Sequence, residues 1–184
     1  MITRFSPSSR QGRWRSLARV IGLALIAMLA VAGARAQEAV DTFQVPGWNG
    51  AAYRDARTGK FGYCAVSSAF GGAVLTFSLD RSQEFRIAIG AEDLRLKPGG
   101  DYVTSLMIDH REPLQIIAAA GTEKRLVIEF GVDDDIVKEL REGQFLRVLA
   151  EHVGLSFSLS GSSEALLRLR SCATEHGGSA TPRP

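Results

Sequence analysis

Apolar residues recur at every second position in several stretches of this chain, and such a period of two is the signature of sheets that bury one face and wet the other. Ala73, Leu75, Phe77 and Leu79 interleave with Val74, Thr76, Ser78 and Asp80. The same pattern recurs at Phe85, Ile87 and Ile89, at Leu126, Ile128 and Phe130, and at Leu155, Phe157 and Leu159. Further strands are expected over about Phe61–Ser67, Tyr102–Asp109, Pro113–Ala119 and Phe145–Glu151. Turn residues separate them, at Gly71-Gly72, Pro98-Gly99-Gly100, Gly121 and Gly154. Strands this frequent with short connections predict a mainly β fold, an antiparallel β-sandwich or a partly open barrel.

Two helices interrupt the alternation. One short internal helix is expected over about Asp134–Glu142, with Asp133 as N-cap, Asp134 and Asp135 at the positive end of its dipole, and Gly143 as its stop. A C-terminal helix is expected over about Ser163–Ala173. At 100° per residue it gathers Ala165, Leu166, Leu169, Cys172 and Ala173 on one arc, with Arg168 and Arg170 mostly turned away.

The first 36 residues have the layout of a secretory signal peptide. Arg4, Arg10, Arg13, Arg15 and Arg19 precede a Val20–Ala32 apolar run, and Ala34-Arg35-Ala36 supplies small residues at the two positions a signal peptidase reads. The run is too short to span a bilayer, which takes about 20 residues. No adjacent arginine pair precedes it and no lipobox cysteine follows it. The expected organisation is a signal peptide at 1–36, an N-terminal linker at 37–46, one β-rich domain at 47–173 and a disordered Gly/Ser/Pro-rich tail at 174–184. The expected location is periplasmic or secreted, with no membrane span after signal removal.

Cleavage changes the charge. The whole chain is +2, but six arginines and no acids leave with the leader, so the mature chain has 16 basic against 20 acidic residues and is −4. The basic character belongs to the leader, and nothing in the mature chain points to nucleic acid.

Cys64 and Cys172 both survive cleavage. Two cysteines in an exported chain most often form one disulfide. Closing that loop stabilises the fold by roughly 4–5 kcal/mol in the chain-entropy account. A shared metal is the alternative, but it lacks C-x-x-C spacing. Cys172 falls on the apolar arc of the last helix. Cys64 falls on the strand face opposite Phe61 and Tyr63, so the bond would pin helix to strand.

No constellation of residues calls for catalysis. Asp109-His110 lies at a strand end before Arg111 and Pro113, where a turn explains it better than an acid–base pair. His152 ends a strand, and His176 falls in the tail. No G-x-S-x-G elbow is present. Asp133-Asp134-Asp135 lacks the spaced oxygen ligands of a calcium loop, and helix capping accounts for it. No cofactor or metal is expected. Trp48, Tyr53, Arg54 and Arg57, with Lys60, mix aromatic and arginine residues as interaction surfaces do. The plainer account is an edge strand over about Asn49–Arg54 that turns at Thr58-Gly59.

The chain resembles a small secreted module of alphaproteobacteria, found alone or appended to exported domains that include trypsin-like proteases. The resemblance rests on Gly47-Trp48, Tyr53-Arg54-Asp55-Ala56-Arg57-Thr58-Gly59-Lys60-Phe61, Tyr63-Cys64-Ala65, Leu106-Met107-Ile108-Asp109, Glu139-Leu140-Arg141-Glu142-Gly143, Phe157 to Leu166, Leu169 and Cys172. More distantly, its closing strand–Gly–helix unit is similar to the end of the invasion-associated locus B family, from which it departs in having only two cysteines. The resemblance implies an exported fold closed by a Cys64–Cys172 disulfide and no established activity. The expectation is a binding or interaction module without catalysis, its partner an envelope or secreted protein and its ligand unknown. The alternatives are an accessory or regulatory partner of an exported protease, and a hydrolase whose site is assembled only in space.

Overall fold

The computed structural model describes residues 37–178, so the signal peptide expected at 1–36 and the end of the chain from 179 lie outside the described residues. Ten strands form one antiparallel sheet: β1 (Gln37–Val45), β2 (Trp48–Asp55), β3 (Phe61–Phe70), β4 (Ala73–Asp80), β5 (Phe85–Ala91), β6 (Asp101–Ile108), β7 (Leu114–Thr122), β8 (Arg125–Gly131), β9 (Phe145–Ala150) and β10 (Val153–Ser158). Helix α1 (Asp134–Glu142) joins β8 to β9, and α2 (Ser162–Gly177) follows β10. The spatial order is β1-β2-β3-β4-β5-β8-β7-β6-β9-β10. The fold is thus mainly β and antiparallel, with one short internal helix and a C-terminal helix.

Where an antiparallel β-sandwich or a partly open barrel is expected, the ten strands form one open sheet with β1 and β10 at its edges, curled on itself. Its curl shows in contacts between strands far apart in the order. Phe70 at the end of β3 meets Phe157 of β10 edge-on, with ring centroids 5.4 Å apart. The curl is what lets one sheet make a core, because an open flat sheet would leave its apolar face wet. Leu75, Phe77, Ile87, Ile89, Leu126 and Ile128 all point inward and are fully buried. Trp48 stacks on Phe77 at 5.1 Å, and Phe77 tilts onto Phe85 at 5.8 Å. Such aromatic pairs contribute about 0.5–1.5 kcal/mol beyond their buried area.

Helix α2 fills the concave side against β2, β3 and β4 with the expected stripe of Ala165, Leu166, Leu169, Cys172 and Ala173, all buried. Burying Leu166 and Leu169 contributes roughly 2 kcal/mol each. Cys64 and Cys172 form the disulfide that fastens α2 to β3. Asp133 caps α1 by accepting from the Asp135 and Ile136 amides at 3.0 and 3.2 Å, as its sequence predicts. The buried Ser162 hydroxyl donates to the Leu140 carbonyl at 2.7 Å and joins the two helices.

Several expectations are corrected. The segment 37–46 is not a linker: Gln37–Val45 pairs along β2 from Gln37↔Asp55 to Val45↔Trp48 and becomes the sheet's edge. Its mixed polar composition hid it, because an edge strand buries little. Strand β2 is consequently internal. The residues 174–177 expected in the tail are helical, since α2 runs to Gly177 with His176 packed on Phe61, and the tail expected from 179 onward lies outside the described residues. Phe61 does not share the outward face of Tyr63. A bulge pairs Tyr53 with Tyr63 and Arg54 with Phe61, leaving Gly62 as the extra residue, and Phe61 turns toward α2.

Candidate functional site

The four residues expected to form an interaction surface lie in different environments. Trp48 faces inward and is only 2% exposed, so it belongs to the core. Its indole Nε1 donates to the Ser160 carbonyl at 3.0 Å, closing the curled sheet from β2 to the turn before α2. Tyr53 is half-buried and points to the opposite, outer face. Arg54 is exposed near the end of β2, and Arg57 is exposed in the following turn. There Asp55 accepts from the Arg57 and Thr58 amides at 3.1 and 2.7 Å, and the Thr58 backbone bond chiefly holds its carboxyl below the usual carboxylate range.

The histidines are dispersed. His110 is exposed in the turn after β6, His152 in the turn between β9 and β10, and His176 lies near the end of α2, 3.2 Å from the Asp41 carboxylate. Asp109 is committed to the backbone. Its carboxylate accepts from the Phe145 amide at 2.8 Å and the Gln144 amide at 3.0 Å, and these bonds hold its carboxyl low. That use agrees with the turn reading of Asp109-His110. Among the described residues, no group of three or more His, Cys, Asp and Glu side chains is placed to hold a metal.

A concave feature instead crosses the outer face of the first half of the sheet. Register brings small outward side chains into two adjacent rows running across the strands. One row passes Ala51↔Ala65↔Ser78↔Arg86, and the other passes Asn49↔Ser67↔Thr76↔Ala88↔Val127. Ala51 and Ala65 lie so low that each is 7% exposed although it faces away from the core. Tyr53 and Tyr63 stand beside these rows as a stacked pair, ring centroids 4.9 Å apart. The result is a trough of about 350 Å3 with a floor of Ala65, Ser67, Thr76, Ser78 and Ala88. The tyrosines, Arg86 and Arg125 bound it. A second concavity continues over β1 past Thr42 and Gln44, sharing Tyr53, Ala65 and Ser67.

The two arginines differ electrically. Arg86 contacts Asp80, Glu84 and Glu129 at 3.0, 2.8 and 3.1 Å. Partial burial opposes its charge, but hydrogen bonds to Glu129 and Asp80 outweigh that and push its pKa up. Each of its three nitrogens donates to a carboxylate of the protein. Arg125 is exposed, and among the described residues it makes no ion pair and no side-chain hydrogen bond. Burial raises the Tyr63 phenol, the neighbouring Tyr53 adds to the rise, and the charge of Arg125 pulls the other way. Tyr63 and Arg125 thus border one trough from different strands.

Of the residues that line this trough, Tyr53 is one that the sequence singled out, whereas Tyr63, Arg86 and Arg125 are not. Their common signal is the run of small and polar residues at outward strand positions. Which of these align side by side depends on register, and register is not written in any one strand.

The chain matches no protein-family model, and no curated protein matches it by sequence. Its fold is similar to that in the crystal structure of invasion-associated protein B from Bartonella henselae, with a TM-score of 0.55 and 18% identity over 73% of this chain and 98% of that chain. At such identity the likeness is one of fold.

Proposed function

We propose that this chain is an exported binding module, periplasmic or secreted, whose ligand surface is the outer trough bounded by Tyr53, Tyr63 and Arg125. The disulfide between its two cysteines supports the location, since such bonds persist in oxidising compartments. No helix among the described residues is long and apolar enough to cross a membrane. The observation that carries the binding reading is the trough itself. A solvated sheet face is stabilised by large cross-strand pairs, yet here five strands align alanines, serines and a threonine beside two tyrosines and an unpaired arginine. A concavity with a few convergent polar groups is the usual form of a ligand site. The reading assigns the chain no chemistry of its own: its histidines lie on separate elements and Asp109 is spent on backbone amides.

The test is a photo-cross-linking amino acid at Ser67 on the trough floor, with Leu167 on the exposed side of α2 as the comparison site, expressed with the native leader in its own cells. Adducts formed at Ser67 and not at Leu167 support the assignment. Adducts at Leu167 alone, or at neither position, count against it. An exported protease captured at Ser67 would make the module that protease's accessory partner.

A further inference from the structure

We infer that the ligand of the trough is an acidic saccharide, whose carboxylate is held by Arg125 while its sugar rings lie along the small-residue floor beside Tyr53 and Tyr63. This rests on the trough being the ligand surface.

The trough lacks an open sheet edge. Its strands β2, β3, β4, β5 and β8 are each paired on both sides. No backbone donors or acceptors are therefore free to recognise an extended peptide by strand addition, which needs an open edge. Recognition must come from side chains alone. Those available are the hydroxyls of Ser67, Thr76 and Ser78, two phenols and one guanidinium. Ser67 and Thr76 already bond each other at 2.8 Å, and each hydroxyl retains capacity for a further partner. Hydroxyls that both donate and accept suit a polyhydroxylated ligand, and tyrosine rings offer an apolar face with a polar tip.

The charge requirement comes from Arg125. A guanidinium carries five donors in a fork that matches a carboxylate, and here the protein supplies none. Arg86 shows the contrast, because three carboxylates pair with it on the same face. The mature chain is net negative, and Asp80, Glu84 and Glu129 lie at the Arg86 end, so overall charge does not attract an anion. Attraction is local to Arg125, with Lys124 adjacent in sequence. The five strands span about 19 Å across at sheet spacing, room for a short oligosaccharide.

Isothermal titration of the disulfide-intact mature chain at physiological salt tests this with three probes: tetragalacturonate, neutral cellotetraose and tetraglutamate. Saturable binding of tetragalacturonate, at least tenfold tighter than either of the others, is expected. Arg125→Gln should weaken it at least tenfold and Tyr63→Phe several-fold, with unchanged melting temperatures, while Arg147→Gln on the other half of the sheet should change nothing. Equal binding of tetraglutamate, or full binding by Arg125→Gln, overturns the inference. Binding of no probe by a chain that still forms adducts at Ser67 overturns the saccharide and leaves the trough assignment standing. Absence of both overturns the two together.

Discussion

Trp48 and Ser160 are 112 residues apart in sequence and 3.0 Å apart in space, joined by a hydrogen bond from the indole Nε1 to the Ser160 carbonyl. The bond links β2 to the turn before α2 and so closes the curled sheet on itself. Trp48→Phe keeps a ring against Phe77 but leaves that carbonyl without its donor, which costs about 1–3 kcal/mol. Trp48→Ala should cost about 3–5 kcal/mol. Urea unfolding of both variants checks this, and a loss below 0.5 kcal/mol in the alanine variant would show that the closure bears little load.

The Cys64–Cys172 bond closes a 108-residue loop. Replacing both cysteines by alanine should cost roughly 4–5 kcal/mol if denatured-chain entropy dominates. The variant should then match the reduced wild-type chain in denaturant midpoint. A reduced chain as stable as the oxidised one would contradict this account.

Gly161 has φ +78°, and a Cβ there would stand 2.4 Å from the Pro46 carbonyl oxygen. Gly161→Ala meets both the left-handed backbone cost, about 1–2 kcal/mol, and that clash. A melting temperature lower by several degrees is expected, with the far-ultraviolet spectrum retained. An unchanged melting temperature would show that the Pro46 loop gives way freely.

Asp109 sets an acid dependence. Bonds from the Phe145 and Gln144 amides lower its carboxyl pKa from 3.8 in the folded chain. Its contribution is therefore fully present above about pH 4 and is lost as pH falls through the lower folded value. Asp109→Asn should be less stable than wild type at pH 6, with the gap shrinking between pH 4 and pH 2. A gap constant across that range would show that the carboxylate charge is not what holds the β9 start.

A substitution on the trough should leave the fold alone. Tyr53→Ala removes half of the stacked pair on a wet face, where surface changes usually stay within about 0.5 kcal/mol, although the lost stacking adds about 0.5–1.5 kcal/mol at most. The expected result is near-native melting with weaker capture at Ser67. Collapse of the fold would place Tyr53 among the core residues.

Much of the fold was legible because its signals are local. The period of two marked β4, β5, β8 and β10, the Asp133 cap and Gly143 marked α1, and the apolar arc with Cys172 marked α2. Strand β1 was not legible, since an edge strand such as Gln37–Val45 buries almost nothing and shows no alternation. The bulge at Gly62 was not either, because one extra residue has no composition of its own, and it turned Phe61 to the other face. Trp48 misled for a related reason: an aromatic among arginines reads as surface until the curl brings Ser160 to it.

The sequence by itself therefore determined that this chain is mainly β, which side of each clear strand is apolar, and that two cysteines stand ready to pair. These follow from side-chain periodicity and local capping, which act within a few residues. Only the tertiary structure decided that one sheet curls rather than two sheets stacking, and that Tyr53, Tyr63 and Arg125 border one trough. Those outcomes depend on register and curl, which are properties of strands in company: a shift of one residue in pairing would send the same side chains to the opposite face.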